Sequence, residues 1–463
     1  MVVSTGVDSD GDLKLVDVVQ TGVLAIAKAL EINGVLTKLD LQACNIRDEG
    51  AKALASALRV NGVLKTLKIG YNEIGSEGAA AIAEALRGNE VLKSLSLTSN
   101  EMGDEGAAAI AEALRGNGVL TELVFCENNV GDEGAKALAS ALRVNAVTNL
   151  NLCNNKICYE GAAAIAEALR GNAVLTNLHL GWNEIGDEGA KALASALRVN
   201  GVVTDLNLYY NKIGPEGGVA IGKALAVNGV LTSLNLSSNR LCGLDDSGRG
   251  TYSAAGITSL AEALKDNKVL TNLNLFDNII GVEGAKALAS ALRVNAVLTD
   301  LNLRENQIRN EGAAAIAEAL RGNGVLTNLN LYYNQIGDEG AKALASALRV
   351  NGVLTKLELD GDELDLPELR GTDPVESLDL SSNDLGRASA IVIASLIAGN
   401  EVLKELNLRG NHIGDEGATA IGEALRGNGV LTTLDLCANG LGDEGEGVIR
   451  DAVSGRVGFE LRM

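Results

Sequence analysis

From Leu326 to Asn351 the chain reads LTNLNLYYNQIGDEGAKALASALRVN, and its apolar positions first alternate and then change period. Leu329 and Leu331 fall on one side, Asn328, Asn330 and Tyr332 on the other. That period of two predicts a short β-strand with one buried face. Ala341, Leu344, Ala345 and Leu348 then follow at i, i+3, i+4 and i+7, one apolar stripe on a helix. Neither element is long enough to bury its apolar face alone. Each needs a copy of itself on either side.

The copies are present. Aligned on the second leucine of L-x-x-L-x-L, they fall at Leu39, Leu67, Leu95, Leu123, Leu150, Leu178, Leu206, Leu234, Leu273, Leu301, Leu329, Leu357, Leu378, Leu406 and Leu434. These are fifteen units, mostly 28 residues apart. The pattern L-x-x-L-x-L-x-x-N/C-x-L is the leucine-rich-repeat signature. At this length, with a full helix, the unit resembles the ribonuclease-inhibitor type, and it is also similar to repeats of NOD-like receptors and of the Ran GTPase-activating protein. The resemblance implies a right-handed α/β horseshoe solenoid of about fifteen repeats, with a parallel sheet on the concave face and helices on the convex face.

A polar residue stands three places after the last strand leucine of each unit. The column holds Asn72, Asn100, Asn128, Asn155, Asn183, Asn211, Asn239, Asn278, Asn306, Asn334, Asn383, Asn411 and Asn439, with Cys44 and Asp362 at two further positions. An amide there can donate to and accept from the backbone as it leaves the strand, so the stacked residues are expected to form a ladder. The following I-G-D-E-G, as in Gly131-Asp132-Glu133 and Gly186-Asp187-Glu188, reads as a helix start. Asp would cap its own helix, and Glu would face the helix dipole. Arg59, Arg143, Arg198 and Arg349 fall at the opposite ends, where a cation is favoured. Asn61-Gly62 and Asn351-Gly352 read as helix stops and turns.

Two stretches break the array. At 242–256 the chain gains 11 residues, CGLDDSGRGTYSAAG, which are expected to bulge from the surface. Gly248-Arg249-Gly250 lacks the Lys-Ser/Thr of a phosphate-binding loop. At 357–377 a unit shrinks to 21 residues and holds Pro367 and Pro374, so its helix is expected to be lost. The solenoid is therefore expected over 36–455, after a lead-in and capping helix at 1–35 and before an edge strand at 456–463. Asp8-Ser9-Asp10-Gly11-Asp12 has too few spaced ligands for a calcium loop and reads as a solvated acidic lead-in.

Composition narrows the function classes. A net charge of −21 argues against nucleic-acid binding and suits either solubility or a basic partner. No signal peptide and no membrane-length apolar run are visible, and six cysteines are too few for a disulfide scaffold. A cytoplasmic or nuclear, monomeric protein is expected. Cys126 and Cys153 share a column in neighbouring units, within disulfide reach at about 5 Å. In a reducing setting they are expected as adjacent free thiols. No activated nucleophile, metal-ligand set or cofactor motif emerges, so no enzyme activity is expected.

The outward strand positions carry most of the aromatic residues. Tyr71, Trp182, Tyr209, Tyr210, Phe276, Tyr332 and Tyr333 all fall there, while Phe125 takes a leucine site and belongs in the core. With strands about 4.8 Å apart, Trp182, Tyr209, Tyr210 and Phe276 are expected to form one exposed belt, with Tyr332 and Tyr333 beyond it. The same columns carry Asp205, Asp277, Asp300, Glu305, Glu358 and Asp360 against Arg304 and Lys356. The expected function is a non-enzymatic scaffold that binds a protein with a basic, partly apolar patch on the concave face. The resemblance also implies two alternatives. One is receptor-type regulation; the other is GTPase activation, for which Arg47, after Ile46, is the candidate arginine.

Overall fold

The computed structural model describes residues 4–7, 13–16, 20–245 and 247–463. The acidic lead-in Asp8 to Asp12 lies outside the described residues. The chain divides into two compact units, Met1–Asn239 and Arg240–Met463. Each is an α/β solenoid of strand–helix layers, as the repeat period predicts.

In the first unit the parallel strands run from Leu13–Val16 through Lys38–Asp40 and Thr66–Lys68 to Asp205–Asn207 and Ser233–Asn235. Register is set by the signature leucines, with Leu67 opposite Leu95 and Leu178 opposite Leu206. A one-residue slip would turn every leucine to solvent, so the column fixes the pairing. The expected capping helix is Gln20–Ile32, but it does not open the array alone. A strand precedes it: Leu13–Val16 pairs in parallel with Lys38–Asp40 and antiparallel with Ser4–Val7.

In the second unit four parallel strands, Asn272–Asn274, Asp300–Asn302, Asn328–Asn330 and Lys356–Glu358, are followed by a break. The chain turns back, and Leu364–Asp365 pairs antiparallel with Lys356–Glu358. The helix expected to vanish here survives as five residues, Leu366–Arg370, with Pro367 in its first turn and Asp365 capping Glu368. Pro is tolerated there because a first-turn N–H has no helical partner to lose. With so short a helix between them, Arg387–Ile397 packs directly on Asp338–Leu348, and Ser395 Oγ donates to Ala345 O. A second parallel sheet then runs Ser377–Asp379, Glu405–Asn407, Thr433–Asp435 and Glu460–Arg462.

The core is aliphatic. The second signature leucine is at most 2% exposed in every repeat except at Leu378, which reaches 9%, and Phe125 is fully buried among the leucines. Each such side chain contributes about 1.5–3 kcal/mol of burial. The asparagine column lies beneath the strands. Asn211, for example, donates from Nδ2 to Leu180 O of the preceding repeat and to Tyr209 O of its own. Its Oδ1 accepts from Ile185 N–H.

The helix starts depart from expectation. The aspartate of I-G-D-E-G does not cap its own helix. It caps the next one: Asp104 Oδ1 accepts from Gly131 and Gly134 N–H, and Asp132 Oδ1 from Cys158 and Gly161 N–H. Asp48, Asp187 and Asp415 repeat the arrangement, and Asn310 does so with its amide oxygen. Close approach explains the glycine. A Cβ on Gly134 would lie 2.7 Å from Asp104 Oδ1 and 2.8 Å from Val130 Cγ1.

The helix ends differ as well. Arg59, Arg143, Arg198 and Arg349 are at the C-caps, but the Asn that follows is more than a stop. Asn61 Nδ2 donates to Leu30 O and Asn33 O, and its Oδ1 accepts from Val63 and Leu64 N–H. Asn89, Asn117, Asn200, Asn323 and Asn351 each donate likewise to the helix-end leucine carbonyl of the preceding repeat, forming a second buried asparagine ladder.

The insertion 242–256 folds onto itself. Leu244 bridges Gly250, and Asp245 holds Ser247 and Arg249 N–H together with the Arg249 guanidinium. Tyr252 Oη donates to Ile280 O at 2.6 Å, pinning the loop to the next repeat.

Candidate interaction face

The residue before each ladder asparagine is forced into left-handed backbone. Trp182 has φ 54°, Tyr210 52°, Asp277 52°, Glu305 55° and Tyr333 54°. That region is costly for a bulky side chain. The asparagine beside it supplies the compensation. Asn183 Nδ2 donates to Leu180 O and, one repeat back, to Leu152 O, and so fixes the turn on which Trp182 stands. Side chains in this column therefore leave the strand face at a set angle.

In the first unit this brings three rings together. Trp182 stacks on Tyr210 with centroids 4.2 Å apart and planes 21° apart, and meets Tyr209 edge-on at 5.9 Å. Trp182 is 46% exposed. Such a pair is worth about 0.5–1.5 kcal/mol beyond its burial, so the cluster is held without a partner. Asp205 lies in the neighbouring strand column, close enough to His179 to oppose the effect of burial, which holds that imidazole below its ordinary range. Tyr71 stands exposed in an earlier repeat of the same unit.

In the second unit an arginine is the centre. The Arg304 guanidinium carbon lies 4.9 Å from the Tyr332 ring centroid, 5.5 Å from Tyr333 and 5.6 Å from Phe276. Its Nε reaches Glu305 at 3.2 Å. Tyr332 and Tyr333 are 4.1 Å apart, and Tyr333 is 60% exposed. The Tyr333 hydroxyl and then burial push the Tyr332 phenol up to about 12. Phe276 thus belongs to a cluster with Arg304, Tyr332 and Tyr333, while Trp182, Tyr209 and Tyr210 make their own contacts in the first unit.

The acidic columns divide by role. Asp360, expected on the binding face, is a cap: its oxygens accept from Gly386, Ala388 and Ser389 N–H. Asp300 takes Asn328 Nδ2, and Glu358 takes Asn330 Nδ2 at 2.6 Å. Burial, then Glu363, hold the Glu358 carboxyl above its ordinary range. Lys356 pairs with Glu363 at 2.7 Å. Arg47, the candidate GTPase-activating arginine, pairs with Glu73 at 3.1 Å.

Cys126 and Cys153 correct a further expectation. Their Cα atoms are 4.6 Å apart and they are joined as a disulfide, while Cys44, Cys158, Cys242 and Cys437 are not disulfide-bonded. Stacking in register brings the two sulfurs together without any rearrangement of the backbone. Among the described residues no group of three or more His, Cys, Asp or Glu side chains converges to hold a metal ion. No helix of the described residues is long and apolar enough to cross a membrane.

Sequence reasoning missed the second asparagine ladder. The signal was one asparagine per repeat, two residues after the helix arginine in both R-V-N and R-G-N.

A family model described as Leucine Rich repeat matches eleven segments, 33–55, 60–83, 88–111, 116–139, 171–194, 200–222, 266–289, 294–317, 322–345, 374–394 and 399–422, more than half of the chain. Comparison with curated proteins gives no match. Among solved structures the chain is similar to actin-binding site 2 of leiomodin-1, at 25% identity and a TM-score of 0.27, over 32% of this chain and 87% of that one. It is also similar to the tropomodulin C-terminal domain of Caenorhabditis elegans, at 17% identity and a TM-score of 0.28, over 32% of this chain and 90% of that one.

Proposed function

Because the chain belongs to the leucine-rich-repeat family, we propose that it is a non-enzymatic, monomeric scaffold that binds a protein partner on its strand-lined face. The candidate contacts are, within the first unit, Trp182, Tyr209 and Tyr210 and, taken separately within the second, Phe276, Arg304, Tyr332 and Tyr333. The observation that carries this reading is the Trp182–Tyr210 stack. Leucines already fill the core, so the rings are not needed there, yet both stand on left-handed backbone that costs stability. Pre-stacked, partly exposed aromatic rings lose little freedom on binding, which is what makes such residues energetic centres of interfaces.

Asp205 acts on His179, Asp277 follows Phe276, Glu305 contacts Arg304, and the chain carries a net charge of −21. The matching partner offers a basic, partly apolar patch. Affinity capture at two salt concentrations, comparing wild type with Trp182→Ala/Tyr210→Ala, tests the reading. Loss of a salt-sensitive partner from the variant is expected. An unchanged set of captured proteins would rule out the aromatic face.

A further inference from the structure

The break in the second unit leaves a strand edge without a neighbour. Ser377–Asp379 pairs with Glu405–Asn407 on one side, and among the described residues no strand pairs with its other side. Leu380 N–H donates toward the following strand, to Asn407 O, so alternation turns the Ser377 and Asp379 N–H groups toward the open side. Two neighbours register the same opening. Leu378 is 9% exposed where its counterparts are at most 2%, and Asn383 is half-buried. Among the described residues the Asn383 side-chain amide makes none of the hydrogen bonds that its counterparts make. An uncovered edge of this kind is a template for strand addition.

The edge leads to a cleft. Beyond the strand end, Asp384 lines a cavity of about 600 Å³ together with Tyr332, Tyr333, Gln335, Leu359 and His412. Asp384 is 79% exposed, and its contact with His412 is long, at 3.5 Å. The setting is acidic. Asp384 lines the cleft, Glu376 and Asp379 lie beside and on the edge strand, and Glu405 is on the neighbouring strand with Lys404 before it and Arg409 after it; Lys404 is taken by Glu376 at 2.8 Å. Arg304 already lies over the Tyr332 and Tyr333 rings, so what the cleft offers an incoming ammonium or guanidinium group is the exposed remainder of Tyr333 beside the Asp384 carboxylate.

We propose that the open edge of Ser377–Asp379 and the adjoining Tyr333–Asp384 cleft form a groove for an extended basic segment of a partner protein. The segment's main chain bonds the Ser377 and Asp379 N–H groups, and one of its lysine or arginine side chains enters the cleft. The proposal rests on the reading of the strand-lined face as the binding face and adds the conformation and charge of what binds there.

The test uses the full chain and two fluorescein-labelled octapeptides, one alternating lysine and threonine and the other glutamate and threonine, followed by fluorescence anisotropy. Saturable binding of the lysine peptide alone is expected. Ser377→Pro, which deletes an edge N–H, is expected to weaken it by about ten-fold or more. Because proline there could unsettle the strand, Tyr333→Ala/Asp384→Asn tests the cleft with the strand untouched, and a similar loss is expected. N-methylation of alternate peptide amides is expected to abolish binding. Equal affinity of the lysine peptide for wild type and for Tyr333→Ala/Asp384→Asn overturns the proposal, as does indifference to N-methylation. If those results coincide with partner loss in Trp182→Ala/Tyr210→Ala, the general reading of the face stands and only this groove is withdrawn.

Discussion

Asp104 and Gly131 are 27 residues apart in sequence, and the carboxylate of the first accepts the backbone N–H of the second at 2.7 Å. The residue that opens one helix therefore caps its neighbour. Asp104→Ala is expected to destabilise by about 1–2 kcal/mol, the cost of a lost helix cap. Hydrogen exchange should quicken first in the first turn of Asp132–Leu142 and not in Gly103–Leu114. Faster exchange confined to Gly103–Leu114 would contradict the cross-repeat cap.

The two asparagine columns are expected to be equally unforgiving. Asn211→Ala and Asn351→Ala each strand buried backbone groups, at about 1–3 kcal/mol apiece. Asn383→Ala, where the side chain is half-buried beside the open edge, is expected to cost about 0.5 kcal/mol or less, as at ordinary surface positions. Urea denaturation of the three variants checks the contrast. Equal losses at all three would mean that Asn383 is bonded like the rest.

Thiol counting tests the Cys126–Cys153 bond. Titration of the unfolded, unreduced protein is expected to find four thiols, and six after reduction. Six before reduction would show the pair to be free.

His179 predicts an acid-side loss of stability. Burial holds its folded-state pKa below the ordinary 6.5, so the unfolded chain binds the proton first as pH falls. Stability from the neutral ring is complete above the ordinary value and is lost as pH drops through the lowered one. Between pH 7.5 and 5.5, wild type is therefore expected to lose more stability than His179→Gln, as read by thermal melts at each pH. Parallel curves would count against it.

Much of this was legible in the sequence because period is a local signal. Leucines at a fixed spacing specify strand, register and core, and counting from them places the aromatic column, but its left-handed backbone carries no mark in the sequence, since Trp182, Tyr210 and Tyr333 are neither glycine nor asparagine. The Asp104 cap escaped because reading a helix start looks within one helix, whereas the acceptor's partners lie one repeat on, at Gly131 and Gly134. Asn61 escaped because Asn-Gly is an adequate turn signal by itself and conceals that the amide is buried. The antiparallel Leu364–Asp365 was unreadable, since two residues carry no period. Cys126 and Cys153 were placed together by their column, but position alone does not decide oxidation state.

The asparagine and aspartate bonds run in opposite senses: Asn211 donates backward to Leu180 O, while Asp104 reaches forward to Gly131. A cut between two repeats therefore injures its two sides differently. The fragment ending at the cut keeps a carboxylate with nothing to hold and carbonyls with no donor. The fragment beginning there starts with an uncapped helix. Trimming this protein from its two ends is not a symmetrical operation, and a shortened chain must carry its own substitute for whichever half it has lost.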